Sequence, residues 1–100
     1  MAVAVITGAS RGFGLALAER LAADGWNLVL AARGSQALDA AAEAVKRAAP
    51  AVTVRAVAGD VADPEHRRAL VVVASEIGGI DLLVNNASLL GPSPQPVLAE

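Results

Sequence analysis

The residues best suited to chemistry in this chain fall in one short segment, Thr7-Gly8-Ala9-Ser10-Arg11-Gly12-Phe13-Gly14. An apolar run, Val3-Ala4-Val5-Ile6, precedes it, and a helical pattern rich in Ala and Leu follows. A strand that turns through glycines into a helix gathers backbone N–H groups and the positive end of a helix dipole at one point, which suits a diphosphate. In this G-x-x-x-G-x-G spacing Gly8 turns the chain, Gly12 lets the backbone approach a phosphate, and Gly14 lets the helix pack close on the strand. No lysine follows the glycines, so the G-x-x-x-x-G-K-[S/T] loop of nucleoside triphosphatases is disfavoured. An ordinary βα turn is the plainer alternative.

The elements that must position this loop alternate along the chain. Ala2–Thr7 is apolar on both faces, as a central parallel strand covered by helices must be. From Phe13 to about Asp24 the spacing of Phe13, Leu17 and Leu21 predicts a helix with that stripe inward, and Gly25 stands ready to end it. Asn27–Ala32 is a second strand. Ser35 is expected to cap the next helix, whose stripe Leu38, Ala42, Val45 and Ala49 stops before Pro50. Val52–Val57 reads as a third strand nearer an edge. Asp63-Pro64 supplies an N-cap and a proline at the first helical position, and the helix runs to about Ile77 with Leu70, Val73, Ala74 and Ile77 inward. Val71-Val72 also fit a strand. Gly78-Gly79 breaks the helix, and Asp81–Asn85 forms a fourth strand. Residues 89–100, with three prolines and a glycine between Leu89 and Pro96, read as loop or tail. Right-handed β-α-β crossovers then give a parallel sheet ordered 3-2-1-4, an α/β unit of three layers (α/β/α), Rossmann-like, over residues 1–100. The switch point falls between strands 1 and 4, so Thr7–Gly14 and Asn85–Ser88 open onto one crevice.

The order Thr-Gly-Ala-Ser-Arg-Gly-Phe-Gly, then Gly59-Asp60-Val61, then Asn85-Asn86-Ala87 resembles the short-chain dehydrogenase/reductase family across nearly the whole chain. The three-then-one residue spacing of the glycines is that of its compact reductases. The resemblance implies hydride transfer between a nicotinamide cofactor and a carbonyl or alcohol. It implies cofactor contacts from Gly8, Ser10, Arg11, Gly12, Phe13 and Gly14 in the loop. Further on it implies cofactor contacts from Asp60 to the adenine amino group, from Val61 behind the ring, from Asn85 beside the ribose, and from Ala87. Asp60 also fits a turn aspartate, and Asn85 a buried asparagine tying strand 4 to its neighbour. Ser88 departs from the usual glycine of its motif. The phenylalanine between the last two glycines, with the Ala31-Ala32-Arg33 strand tip, is similar to sepiapterin-type reductases.

The tip of strand 2 bears on which cofactor. An acid there accepts from the adenosine ribose and repels a 2′-phosphate. This chain has Ala31-Ala32-Arg33-Gly34 and no carboxylate until Asp39. Arg33 from one side and Arg11 from the other offer guanidinium groups suited to a phosphate, which favours NADP(H) over NAD(H). Each arginine alone also fits a solvated strand or loop end.

The family's catalytic serine, tyrosine and lysine come later than residue 100, and this chain has no tyrosine. Its single lysine, Lys46, lies on the solvent side of the second helix. The chain is thus expected to be the cofactor-binding half of an oxidoreductase, inactive alone and cut off before the catalytic half. A stand-alone nucleotide-binding or interaction module is the alternative, and adenosyl-methionine binding a distant third. His66, in the first turn of a helix beside Arg67 and Arg68, reads as a surface histidine. Strand 4, left at an edge, predicts association, so a homo-oligomer is expected.

The remaining partners follow from composition. A net charge of −2 with no basic cluster beyond Arg67-Arg68 argues against nucleic acid. Hydrophobic residues are 55% of the chain, yet no apolar run reaches the ~20 residues of a membrane span. That hydropathy belongs to buried strands. No cysteine is present, which excludes disulfide and thiolate chemistry. Met1-Ala2-Val3 leads straight into a strand without a charged leader, and a cytoplasmic location is the expectation. No cluster with metal-ligand spacing stands out.

Overall fold

The computed structural model describes residues 2–86 and 97–99. Its elements are β1 (Val3–Thr7), α1 (Gly12–Ala23), β2 (Asn27–Ala32), α2 (Ser35–Ala48), β3 (Val54–Ala58), α3 (Pro64–Glu76), β4 (Leu82–Asn85) and β5 (Val97–Ala99). The sheet runs β3-β2-β1-β4-β5. Its first four strands are parallel in the expected 3-2-1-4 order, with Val5 beside Val29 and Leu83.

Side chains of successive strand residues point to opposite faces, so a strand buried on both faces must be apolar throughout. β1 shows this directly. Ala4 and Ile6 pack with Leu28, Leu30 and Val84 against Ala18 and Ala22 of α1 and Leu38, Ala42 and Val45 of α2. Val3 and Val5 pack with Val29 and Ala31 on the other face against Leu70 and Ala74 of α3. Two helices thus cover one face and one covers the other, the three layers expected.

Four local readings need correction. The buried row of α1 is Gly14, Ala18 and Ala22, not Phe13, Leu17 and Leu21. Small residues let the helix axis come close to the sheet, so the larger residues are displaced to its flanks. Leu17 and Leu21 are half-buried and Phe13 is 51% exposed. α2 begins at Ser35 with Gly34 as N-cap and no side-chain cap bond, so Ser35 does not cap it. β3 begins at Val54, where pairing with Leu28 starts, and not at Val52. The stretch read as loop or tail contains β5, antiparallel to β4 with Val84 opposite Leu98. β4 is therefore paired on both sides, and the argument for association from its bare edge lapses.

The ambiguous Val71-Val72 are helical and exposed. The ends of α3 decide the matter. Asp63 Oδ1 accepts from the Glu65 N–H at 2.9 Å, Pro64 occupies the first turn, and the chain leaves through Gly78 and Gly79 at positive φ. Leu70 and Ala74, four apart, then bury one row against the sheet.

Candidate functional site at the switch point

The turn from β1 into α1 depends on glycine at two points. Gly8 has φ 63° and Gly12 φ 61°, the left-handed region that strains other residues. Between them Ala9 is buried, and its N–H donates to the Ala31 carbonyl at 3.0 Å, which ties the loop to the tip of β2. Gly14 has an ordinary φ and is required for space. A Cβ there would overlap the Gly8 carbonyl oxygen and come within 2.9 Å of Asn86 Nδ2. Close helix–strand packing at Gly14, read from the spacing, is what the structure has.

Arg11 is the N-cap of α1 and makes no side-chain cap bond, and the first turn carries no acid. The N–H groups that open the helix are thus not taken up by a capping side chain, and the dipole is not offset by a local carboxylate. Across the sheet, Thr7 joins the ends of β1 and β4. Its hydroxyl donates to Asn85 Oδ1 (3.2 Å) and toward the Val84 carbonyl (3.4 Å), and accepts from the Asn86 N–H (3.0 Å). The Asn86 side-chain amide donates to the Gly8 carbonyl at 3.1 Å. Asn85 thus ties β4 to β1 as considered for it, but from an exposed position and not as a buried asparagine.

A cleft of about 300 Å³ opens beside this turn, at the carboxyl ends of β1, β2 and β3. That volume is at the lower end for small-molecule sites. Of the expected residues, Gly8, Ser10, Arg11, Arg33, Asp60 and Val61 line it. Gly12, Phe13, Gly14 and Asn85 do not, and Ala87 lies outside the described residues.

The two arginines differ in their surroundings. Among the described residues Arg11 makes no side-chain hydrogen bond or ion pair. Arg33 reaches from the tip of β2 to the tip of β3, where one guanidinium nitrogen meets Asp60 Oδ2 at 3.0 Å. Asp60 Oδ1 accepts from the Ala62 N–H at 2.9 Å. That backbone bond, then the bond and charge of Arg33, and then the nearby His66 hold the Asp60 carboxyl below its ordinary value. With side chains 77% and 43% exposed, the ion pair is screened by solvent and weak, so an incoming anion can redirect Arg33 at small cost.

His66 overturns its expectation. It is 7% exposed and lines the cleft rather than lying on the surface. Position in a first helical turn beside two arginines gave the wrong face, because α3 turns Arg67 and Arg68 outward and His66 toward β3. The signal in the sequence was Gly59. A Cβ at Gly59 would overlap His66 Nδ1 and come within 2.7 Å of Cγ, so the small residue makes room for the ring. Thr7 and Asn86 were also missed as site-building residues. Their partners lie 77 to 79 positions away, out of reach of local pattern.

Residues 2–100 match the short chain dehydrogenase family, and the chain belongs to it. It is 44% identical over 96 residues to a 1-deoxy-11-beta-hydroxypentalenate dehydrogenase of Streptomyces exfoliatus, covering 94% of this chain and 34% of that protein. It is 41% identical over 93 residues to a galactitol 2-dehydrogenase of Agrobacterium fabrum, covering 92% and 34%. Among solved structures it resembles the L-sorbose reductase of Gluconobacter frateurii complexed with NADPH and L-sorbose, with TM-score 0.80 and 44% identity over 92% of this chain and 37% of that one. A short-chain dehydrogenase of Sphingobium yanoikuyae in complex with NADPH matches with TM-score 0.76 and 38% identity, over 88% and 34%. The chain therefore spans about a third of the length of these relatives. None of the four is of the sepiapterin type, and that finer likeness has no support here. No helix among the described residues is long and apolar enough to cross a membrane.

Proposed function

We propose that this chain is the NADP(H)-binding portion of an oxidoreductase that moves hydride between a nicotinamide and the carbonyl or alcohol carbon of a small substrate. One observation carries the reading. Arg11 and Arg33 line the same cleft, beside an uncapped helix start, with no carboxylate at the tip of β2. The fit to such a cofactor is good on this chain's own geometry. Left-handed glycines at 8 and 12, the overlap that bars a side chain at 14, and the acid-free first turn of α1 form a cradle for a diphosphate. NADPH bound in the two similar structures supports the choice of cofactor.

In this reading the turn after β1 holds the diphosphate through its N–H groups. Arg11 and Arg33 hold the 2′-phosphate, Arg33 with the N–H groups it does not use on Asp60. Asp60 and Val61 meet the adenine, and Asn85 steadies the ribose end of β4. NADP(H), when bound, supplies the hydride. Proton transfer to substrate belongs to groups this chain does not carry. It has no tyrosine, and Lys46 is exposed on α2. The 100 residues alone are expected to bind cofactor and turn nothing over, in the cytoplasm.

Calorimetric titration with NADPH and NADH tests the cofactor assignment. Charge-assisted contacts from the arginines are expected to favour NADPH by about 10- to 100-fold. Arg33→Asp should reverse or abolish that preference. Equal affinities, or an unchanged ratio in the variant, would refute the assignment.

A further inference from the structure

His66 is more than nine-tenths buried, yet its ring makes no hydrogen bond among the described residues. No side-chain nitrogen or oxygen sealed from solvent lacks a partner there. Both ring nitrogens therefore keep some access to solvent, and the space His66 lines is the cleft. Its ring nitrogens thus have hydrogen-bonding capacity that no described residue uses and that opens onto the cleft. The fold makes specific room for this ring, because any side chain at Gly59 would overlap it. Asp60 lines the same cleft, and its carboxylate only accepts, while a neutral imidazole offers one N–H donor and one acceptor.

An acceptor beside a donor is the complement of an adenine edge, where an amino donor neighbours a ring-nitrogen acceptor. Hypoxanthine carries a carbonyl oxygen where adenine carries that amino group, and would set an acceptor against the carboxylate. We propose that His66 reads the base: its imidazole N–H donates to a ring nitrogen of adenine while Asp60 accepts from the adjacent amino group. This deepens the NADP(H) reading above and rests on it. Gly59 is then required because it admits the reading residue, and the β3 tip contributes to base selection through α3 as well as through its own loop.

The test titrates the chain with NADPH and with its hypoxanthine analogue, in wild type, His66→Phe, His66→Gln and Gly59→Ala. Thermal melts accompany each variant. Phe keeps an apolar ring in the space, Gln keeps a donor, and Ala at 59 displaces the ring. Wild type is expected to favour NADPH over the analogue. His66→Phe and Gly59→Ala should weaken NADPH by about three- to tenfold and narrow the preference, while His66→Gln keeps part of both. A folded His66→Phe with wild-type NADPH affinity and an unchanged preference would overturn the role of His66 and leave the cofactor reading intact. Should His66→Phe fail to fold, Gly59→Ala and His66→Gln decide by the same two numbers. Absence of any NADPH binding by the folded wild type would overturn the cofactor reading, and this inference with it.

Discussion

Substituting alanine at three glycines separates two physical reasons for a glycine in this loop. At Gly14 the added Cβ overlaps the Gly8 carbonyl oxygen and crowds Asn86 Nδ2 at 2.9 Å, so α1 must back away from β1. Overpacking of this kind destabilises by about 1–3 kcal/mol. Weakening of the 3.1 Å bond from Asn86 to Gly8 adds about 1 kcal/mol, and alanine's better helix propensity returns up to about 1 kcal/mol. The net expectation is about 2 kcal/mol, or roughly 8–16 °C in Tm for a domain of this size. At Gly12 the Cβ meets nothing within 4 Å, but φ is 61°, so the left-handed conformation alone sets a loss of about 1–2 kcal/mol. At Gly34 the space is open and φ is −84°. There the lost N-cap preference and the stiffer unfolded chain offset each other to within about 0.5 kcal/mol. Urea unfolding followed by circular dichroism reads all three. The reasoning is refuted if Gly14→Ala unfolds no more readily than Gly34→Ala.

Further outcomes are expected elsewhere in the site. Thr7→Val keeps the shape but removes the hydroxyl that joins Asn85 and Asn86 to β1, and should lower stability by about 1–2 kcal/mol, with faster amide exchange at Asn86 as the local readout. Asp60, followed by carboxyl NMR, should titrate below the ordinary aspartate value. Because its folded-state pKa is depressed, its stabilising contribution is present above that ordinary value and is lost as pH falls below it, through the folded pKa. Arg33→Ala should move the Asp60 titration only part of the way back, since the Ala62 N–H is the larger cause.

Much of the frame was legible in the residues themselves. Strands buried on both faces carry unbroken apolar runs, so β1 and β2 announced themselves, and glycines that must take a left-handed φ marked the turn. Asp63-Pro64 announced the start of α3 through local chemistry. What escaped notice depends on distance along the chain. The buried face of α1 does not follow from residue size, because Gly14, and not a large apolar side chain, lets the helix touch the Gly8 carbonyl. His66 looked superficial because its partner in space, Gly59, has no side chain to advertise the contact. Thr7 and Asn86 build the site across β1 and β4, a pairing only the folded sheet creates.

The central claim is that the cleft at the ends of β1, β2 and β3 receives a phosphorylated adenine dinucleotide. Amide chemical-shift mapping of the chain during titration with NADPH tests it most directly. The account predicts saturable shifts concentrated at Gly8, Ser10, Arg11, Gly12, Arg33, Asp60 and Val61. Shifts centred on the outer face of α3 around Val71 and Val72, or none at saturating NADPH, would contradict it.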